Sequence, residues 1–495
     1  MSEIQLLPKV REYLQRDHAH FIDGQYRSGT SDKRIAVVNP ANGESIAHVT
    51  GATSHEVDEA CQSSHRAFKG EWAQTSPYQR SMIINRLADL IEANGEELAQ
   101  LESLCSGKHI QLSRLFEVGQ SAMFLRYYAG WATKINGETM TPSFPSMAGE
   151  HYTAMTRREP LGVVAGIIPW NFSVMIAIWK LGAALATGCT LILKPSEFTP
   201  ITLLRIAELA VEAGVPAGVV NVINGTGEVG AQLIEHPQVA KVSFTGSVPT
   251  GLKVGQSAMA ANLTRVTLEL GGKNAAALLP DADIGNAVAG LIQTGYVHQG
   301  QVCASPERIY VHRSQLDEVL AKFATAVKGM SIGSQLDESV QFGPLANKPQ
   351  FDKVSQFLAD ARSHNQIICG GNPLKGPGYF VEPTVLLAND SKDRFLHEET
   401  FGPILCVVPY DEVEELPALM NDSPFGLTAS VWTNDLSKAL RLIPEIEAGT
   451  VYVNMHTFLD PSVPFGGIKA SGTGREFGSA FIEDYTELKS VIIRY

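Results

Sequence analysis

The run Gly162-Val163-Val164-Ala165-Gly166-Ile167-Ile168 is apolar from end to end and stops at Pro169-Trp170-Asn171. It is short for a helix and carries no alternation, so it reads as a strand buried on both faces, with Pro169 and Asn171 turning the chain. Downstream come a helix through Trp179, Thr190-Leu191-Ile192-Leu193, a helix from Thr199, Val219-Val220-Asn221-Val222, a helix to Ile234, and Ala240-Lys241-Val242-Ser243-Phe244. Short apolar strands joined by helices of about ten residues or more need crossovers, which predicts an α/β architecture with a parallel sheet of the nucleotide-binding type. The apolar stretch 161–193 is also long enough to span a bilayer, but Pro169, Asn171 and Lys180 interrupt it. A lysine at the centre of a membrane helix costs about 2.5–3.5 kcal/mol, so no membrane partner is expected.

On the C-terminal side, a strand from Arg265 to Leu270 runs into Gly271-Gly272, and a second alternating block follows from Asn274 to Ala470. On the N-terminal side, residues 54–133 read as helices, with Met82, Ile83, Leu87, Leu90 and Ile91 on one face. Residues 1–21, with Ile4, Leu7, Val10 and Leu14 at helical spacing beside Glu3, read as an amphipathic arm. Residues 137–159 turn to Thr, Pro, Ser, Met and Gly, with an exposed strand over 152–158, and the tail 481–495 alternates like an edge strand in need of a partner. The expected division is 1–136 with 160–270 as one domain, 271–478 as a second, and 137–159 with 479–495 as an arm and tail.

The balance of 39 basic against 52 acidic residues, a net charge of −13 without a Lys/Arg block, argues against nucleic acid and anionic membranes as partners. Cys61, Cys105, Cys189, Cys303, Cys369 and Cys406 form no CxxC pair and no metal-ligand spacing, which predicts a reducing, cytoplasmic home and no metal. His18, His20 and His397 read as surface or loop histidines.

Several side chains invite chemistry. Cys303, in Gly300-Gln301-Val302-Cys303-Ala304-Ser305-Pro306, lies between a helical pattern (284–297) and the strand Arg308-Ile309-Tyr310-Val311. Read alone, this thiol fits a nucleophile and a buried small hydrophobe equally well. Glu269, in the apolar run from Val266 to Leu270, is either paired structurally or tuned for proton transfer. Asn171 could donate its amide to a developing oxyanion. Gly246, Ser247 and Gly251 frame a helix start where backbone N–H groups could hold pyrophosphate, though alone they read as an ordinary strand-to-helix turn.

Pro169-Trp170-Asn171-Phe172, Lys194-Pro195-Ser196-Glu197, Phe244-Thr245-Gly246-Ser247, Leu268-Glu269-Leu270-Gly271-Gly272-Lys273 and Gly300-Gln301-Val302-Cys303, in this order and at these separations, resemble the NAD(P)-dependent aldehyde dehydrogenase superfamily. Glu398-Glu399-Thr400-Phe401-Gly402-Pro403 and Pro464-Phe465-Gly466-Gly467 extend the resemblance over nearly the whole chain. It implies two Rossmann-type domains with a small β oligomerisation element, a homotetramer built as a dimer of dimers or else a dimer, and oxidation of an aldehyde to an acid. By the same resemblance Cys303 attacks as thiolate, Asn171 and the Cys303 N–H hold the oxyanion, and Glu269 activates the water that cleaves the thioester. The acylating branch that uses coenzyme A generally lacks this glutamate, and a non-catalytic relative would not need all three residues.

For the cofactor the resemblance implies NAD, held by Ile168, Trp170, Lys194, Glu197, Gly227, Gly246, Ser247, Leu270, Glu399 and Phe401, with Lys194 and Glu197 on the adenosine ribose. A carboxylate near the ribose 2′ position would repel the phosphate of NADP. For the aldehyde it implies a wall of Phe172, Met175, Ile176, Trp179, Tyr296, Val297, Phe458, Leu459 and Phe465, free of Arg and Lys. His298 stands where many relatives carry asparagine, and Leu459 where many carry an aromatic residue. The loop 453–460 and the end Arg494-Tyr495 resemble the branch that oxidises phenylacetaldehyde, which is the expected substrate. The rival expectation, a cationic aminoaldehyde or betaine aldehyde, would use Asp460 as counter-ion.

Overall fold

The computed structural model describes residues 4–144, 146–388 and 390–495; residues 1–3 of the expected arm and Pro145 of the expected hairpin lie outside them. The run at 163–167 is the strand Val163–Ile167, buried throughout, at the heart of an eight-stranded sheet. Five parallel strands form its centre, in the order Val220–Val222, Thr190–Lys194, Val163–Ile167, Val239–Thr245 and Arg265–Glu269. Register aligns Ile167 with Lys194 and with Phe244, and Thr245 with Glu269, so these side chains share the carboxyl ends of adjacent strands. That edge is where open α/β sheets bind ligands.

The helix Ser173–Thr187 is buried at every position because it is apolar apart from its ends and Lys180, whose ammonium is paired inside, and Gly188 ends it in a left-handed conformation at φ 92°. Gly271-Gly272 carries the chain from Arg265–Glu269 into Asn274–Leu278 of a second, seven-stranded sheet. A Cβ on Gly271 would lie 2.4 Å from a Glu399 carboxylate oxygen, and one on Gly272 would lie 2.9 Å from the Cys303 carbonyl. The glycine pair thus lets the backbone pass between Cys303 and Glu399. All strands of the second sheet run parallel except Gln366–Cys369, which pairs antiparallel with Thr384–Leu387.

Four expectations need correction. The tail is not one strand: Phe481–Tyr485 is helical, because Phe481, Ile482 and Tyr485 bury one face in the first core, and only Thr486–Arg494 is extended. That strand finds its partner in its own chain, antiparallel to Tyr152–Pro160 from Thr486↔Pro160 to Arg494↔Tyr152. The second block does not keep to itself, since Gly472–Thr473 pairs with Arg265–Glu269 of the first sheet and Phe477 packs on Phe124 and Trp179. His18 and His20 are buried, with His18 Nε2 against the Tyr13 carbonyl at 2.9 Å and His20 Nδ1 accepting from Asn224 N at 3.2 Å. Both sit around the strand His20–Ile22, which, paired with Gln25–Arg27, adds an antiparallel edge to the sheet. Among the described residues no helix is long and apolar enough to cross a membrane.

Candidate active site

Cys303 is half-buried where the two sheets face each other. The turn Val297–Gly300 delivers it through three successive left-handed residues, His298 at φ 46°, Gln299 at φ 56° and Gly300 at φ 70°. Gly300 is obligatory, since a Cβ there would lie 2.2 Å from the Gly402 carbonyl. His298 and Gln299 each hold a conformation costing about 1–2 kcal/mol, which the surrounding hydrogen bonds must offset.

Those bonds fix the carbonyls of the loop. Asn171 Nδ2 donates to Gln301 O at 2.9 Å, Asn274 Nδ2 to Cys303 O at 2.7 Å and Ser305 O at 2.8 Å, and Thr457 Oγ1 to Ala304 O at 2.8 Å. His456 lies between the Ser430 hydroxyl at 2.7 Å and Ala304 O at 3.0 Å. Burial pushes its pKa down to about 3, so the ring is neutral, donates from Nε2 and accepts at Nδ1. Burial, assisted by the charges of Glu269 and Glu399, pushes the Cys303 thiol up to about 12. Two carboxyl groups act on the sulfur, so the thiol needs a base to ionise before it can attack.

Glu269 ends its strand only 6 % exposed, and both its carboxylate oxygens lack a hydrogen-bond partner. Burial first, then the charge of Glu476, holds its pKa well above the ordinary carboxylate range. Among the described residues no group hydrogen-bonds this carboxyl, and so desolvated a group holds a proton more tightly than an exposed one. Behind it, Lys180 Nζ meets Glu476 at 2.9 Å and Ser243 Oγ at 3.0 Å. A Cβ at Gly466 would lie 2.7 Å from Glu269 Oε1.

Two clefts meet at Cys303. One runs along the carboxyl ends of the first sheet, lined by Trp170, Thr245, Gly246, Ser247, Glu269, Leu270, Gly271, Gln350, Lys353, Glu399 and Phe401. Glu399 accepts from Gly272 N at 2.9 Å, and burial with the Glu307 charge raises it to about 7. Phe401, at φ 51°, stands edge-on to Trp170 with ring centres 5.4 Å apart. Glu307 accepts from Thr400 N at 2.9 Å, Thr400 Oγ1 at 2.7 Å and Phe401 N at 3.0 Å, and is ion-paired with Lys273. Gln350 and Lys353 were not foreseen, because they come from the helix Lys348–His364, which carries no phrase of its own.

Ile168, Lys194, Glu197 and Gly227 lie outside this cleft, farther along the same sheet edge. Ile168 N donates to Lys194 O at 3.0 Å, Lys194 Nζ is 3.8 Å from the Glu197 carboxylate, and Gly227 opens the helix Gly227–Glu235. The residues present fit a dinucleotide. Ser247 precedes the helix Val248–Asn262, whose first N–H groups suit a pyrophosphate, and the half-exposed Glu197 carboxylate beside buried Lys194 suits a ribose diol.

The other cleft is lined by Phe116, Gln120, Asn171, Phe172, Met175, Ile176, Trp179, Val297, Val302, Ala304, Thr457, Leu459 and Phe465. Tyr296 and Phe458 are corrections. Tyr296 caps the helix Ile284–Gly295, buries its ring in the second core and donates to Thr384 O at 2.8 Å, facing away from its neighbour Val297. Phe458 is 57 % exposed, and its carbonyl accepts from Tyr452 Oη at 3.1 Å. Phe116 and Gln120 were missed, because nothing in the sequence says that the π-helical turn Ser113–Gln120 closes this cleft. The wall itself is braced from behind: Glu117 accepts from Met175 N at 2.7 Å and Glu102 from Ser173 Oγ at 2.7 Å, both ion-paired with Lys108. Carboxylates suit the N-terminal end of that helix. His298 is buried neutral, edge-on to Phe172 at 5.5 Å, so the ring that replaces asparagine packs against the wall of this cleft.

Residues 26–491 match the sequence profile of the Aldehyde dehydrogenase family. The chain is 44% identical over 494 residues, 99% of its length and 98% of the relative's, to a phenylacetaldehyde dehydrogenase of Pseudomonas fluorescens. It is 39% identical over 476 residues, 96% of this chain and 97% of the other, to a betaine aldehyde dehydrogenase of Cereibacter sphaeroides. Its fold superposes on the NAD+ complex of an aldehyde dehydrogenase from Bacillus cereus with a TM-score of 0.96 at 39% identity, covering 99% of both chains.

Proposed function

The chain belongs to the aldehyde dehydrogenase family and uses NAD, and from that premise we propose that it oxidises phenylacetaldehyde to phenylacetate. The observation that carries the choice of substrate is the aldehyde cleft, whose lining holds Phe116, Phe172, Trp179, Phe465 and aliphatic groups but no Arg, Lys, Asp or Glu. Such a wall stabilises an uncharged ring by burial and by edge and face contacts worth about 0.5–1.5 kcal/mol per aromatic pair. The likeness to the Pseudomonas enzyme supports the same reading.

In this reading Glu269 takes the thiol proton of Cys303, and the sulfur adds to the aldehyde carbon. The Asn171 amide and the Cys303 N–H hold the oxyanion so formed. NAD supplies the acceptor for the hydride that leaves that carbon. Glu269 passes that proton to solvent and then takes one from water, whose hydroxide adds to the Cys303 thioester; the sulfur leaves, regains the proton from Glu269, and the acid is released. Burial raises the Glu269 pKa, which makes it a stronger proton acceptor for both transfers than an exposed carboxylate.

The betaine aldehyde alternative is disfavoured by Asp460. Its Oδ1 accepts from Ser462 N at 2.8 Å and Ser462 Oγ at 2.5 Å, closing its own turn, and it does not line the cleft. Comparing kcat/KM for phenylacetaldehyde, hexanal and betaine aldehyde tests the proposal. Phenylacetaldehyde is expected to lead, and a lead by betaine aldehyde that vanishes in Asp460→Asn would overturn it.

For assembly, the proposal is a dimer or a dimer of dimers through the outer edge of Thr486–Arg494, which has no partner strand among the described residues and where Ile492 is 70 % exposed. A stable 53.5 kDa monomer in sedimentation would refute it.

A further inference from the structure

Besides Asn171, Cys303 and Thr457, the polar groups on the residues that line the aldehyde cleft are those of Gln120 and Trp179. Gln120 Oε1, an acceptor, and Trp179 Nε1, a donor, are both buried without a hydrogen-bond partner, and both belong to residues that line the cleft. The two side chains come from neighbouring elements. Gln120 closes the turn Ser113–Gln120, and Phe124, one helical turn on, packs its ring 5.7 Å from that of Trp179. Trp179 is only 5 % exposed, so water competes poorly for its N–H. Buried polar atoms are usually paired, and an unpaired acceptor and an unpaired donor on residues that line one cleft point to a ligand group able to serve both.

From these two atoms we infer that the enzyme recognises a hydroxyl group on the tail of its substrate, with Gln120 and Trp179 as the specificity-determining pair. A hydroxyl both donates and accepts: its O–H goes to Gln120 Oε1, and its oxygen accepts from Trp179 Nε1. An ether oxygen satisfies Trp179 alone, and a hydrocarbon satisfies neither. The substrate class is therefore a hydroxylated arylacetaldehyde, an inference that rests on the aromatic reading of the cleft given above. The unsubstituted aldehyde fits the same walls but leaves both polar atoms unpaired, which is how a site built to bind a hydroxyl discriminates against its absence.

The test is the ratio of kcat/KM for 4-hydroxyphenylacetaldehyde to that for phenylacetaldehyde, with 4-methoxyphenylacetaldehyde as a third arm. The wild-type ratio is expected to favour the hydroxyl compound by roughly tenfold, the size of one or two net neutral hydrogen bonds, with the methoxy compound well below it. In Gln120→Leu and in Trp179→Phe the ratio should fall towards one. Reading a ratio within each variant, with melting temperature as a check on folding, separates loss of recognition from loss of enzyme. Competitive inhibition by 4-hydroxyphenylacetate against phenylacetate gives the same ratio from binding alone if either variant turns over too slowly. A wild-type ratio near one, or a tenfold ratio that survives both substitutions, overturns the inference. A lead by betaine aldehyde or hexanal over both aryl substrates overturns the aromatic reading instead, while the aryl ratio still reports on the hydroxyl.

Discussion

On the cofactor side of Cys303 the wall carries Glu269, Lys353 and Glu399, all ionisable, together with the hydroxyls of Thr245 and Ser247; on the aldehyde side it carries no ionisable side chain other than the thiol they share. The carboxyl groups of the first wall have their pKa values raised by burial, so that side is built to exchange protons as charge moves. The second wall, apart from the thiol, offers shape, the Asn171 amide and Thr457 hydroxyl near the sulfur, and the unpaired atoms of Gln120 and Trp179. Changes on the first side should therefore strike the chemical steps, and changes on the second should strike affinity.

The thiol common to both clefts gives the largest effect. Cys303→Ala should leave less than about a percent of turnover while NAD still binds, as measured by calorimetry; retained turnover would remove the nucleophile assignment. Next comes Glu269→Gln, which keeps the shape but cannot accept a proton. It should slow deacylation by roughly 10²–10⁴-fold and acylation by less, giving a slowed burst of NADH and then a stalled steady state, and a lost burst would make acylation the step that depends most on Glu269. On the other side, Phe465→Ala should raise KM for phenylacetaldehyde by about tenfold with kcat little changed, the signature of lost uniform binding; an equal fall in kcat would blur the division.

The smallest effect concerns stability. Glu399 has a folded-state pKa of about 7, above its ordinary value, so the folded form holds that proton more tightly than the unfolded chain. Its contribution is fully present below the ordinary carboxylate pKa and is lost as pH rises towards 7. Glu399→Gln should therefore shrink the fall in melting temperature between about pH 5 and about pH 8 by roughly two degrees, and an unchanged fall would refute the assignment.

Much of this was legible in the sequence for a physical reason. A strand buried on both faces must be apolar throughout, and a turn at its end must carry residues such as Pro169 and Asn171, so the phrases at the carboxyl ends of strands announce both fold and site. What sequence did not reveal depends on docking between distant elements. Tyr296 and Val297 are neighbours in the chain, yet one packs in the second core and the other lines the cleft, and Gln120 reaches the cleft only because its helix lies against Ser173–Thr187. The pair Lys180 and Glu476, almost three hundred residues apart, meets behind Glu269 and left no local trace. His18 and His20 misled because a polar residue early in a chain usually stays in water, whereas here a strand edge covers both.

Glu307 bears on how this enzyme could be rebuilt. Its single carboxylate clasps the backbone and hydroxyl of Thr400 and the N–H of Phe401, while its own strand, Pro306–His312, starts three residues after Cys303. The spacing between the sulfur and the ring of Phe401 is thus gauged by one side chain, much as a jig sets two parts on a bench. A graft of residues 398–403 from a relative would keep its alignment only if residue 400 still offers a hydroxyl and an N–H to that gauge. Glu307 and the grafted loop must then be exchanged together, as one part.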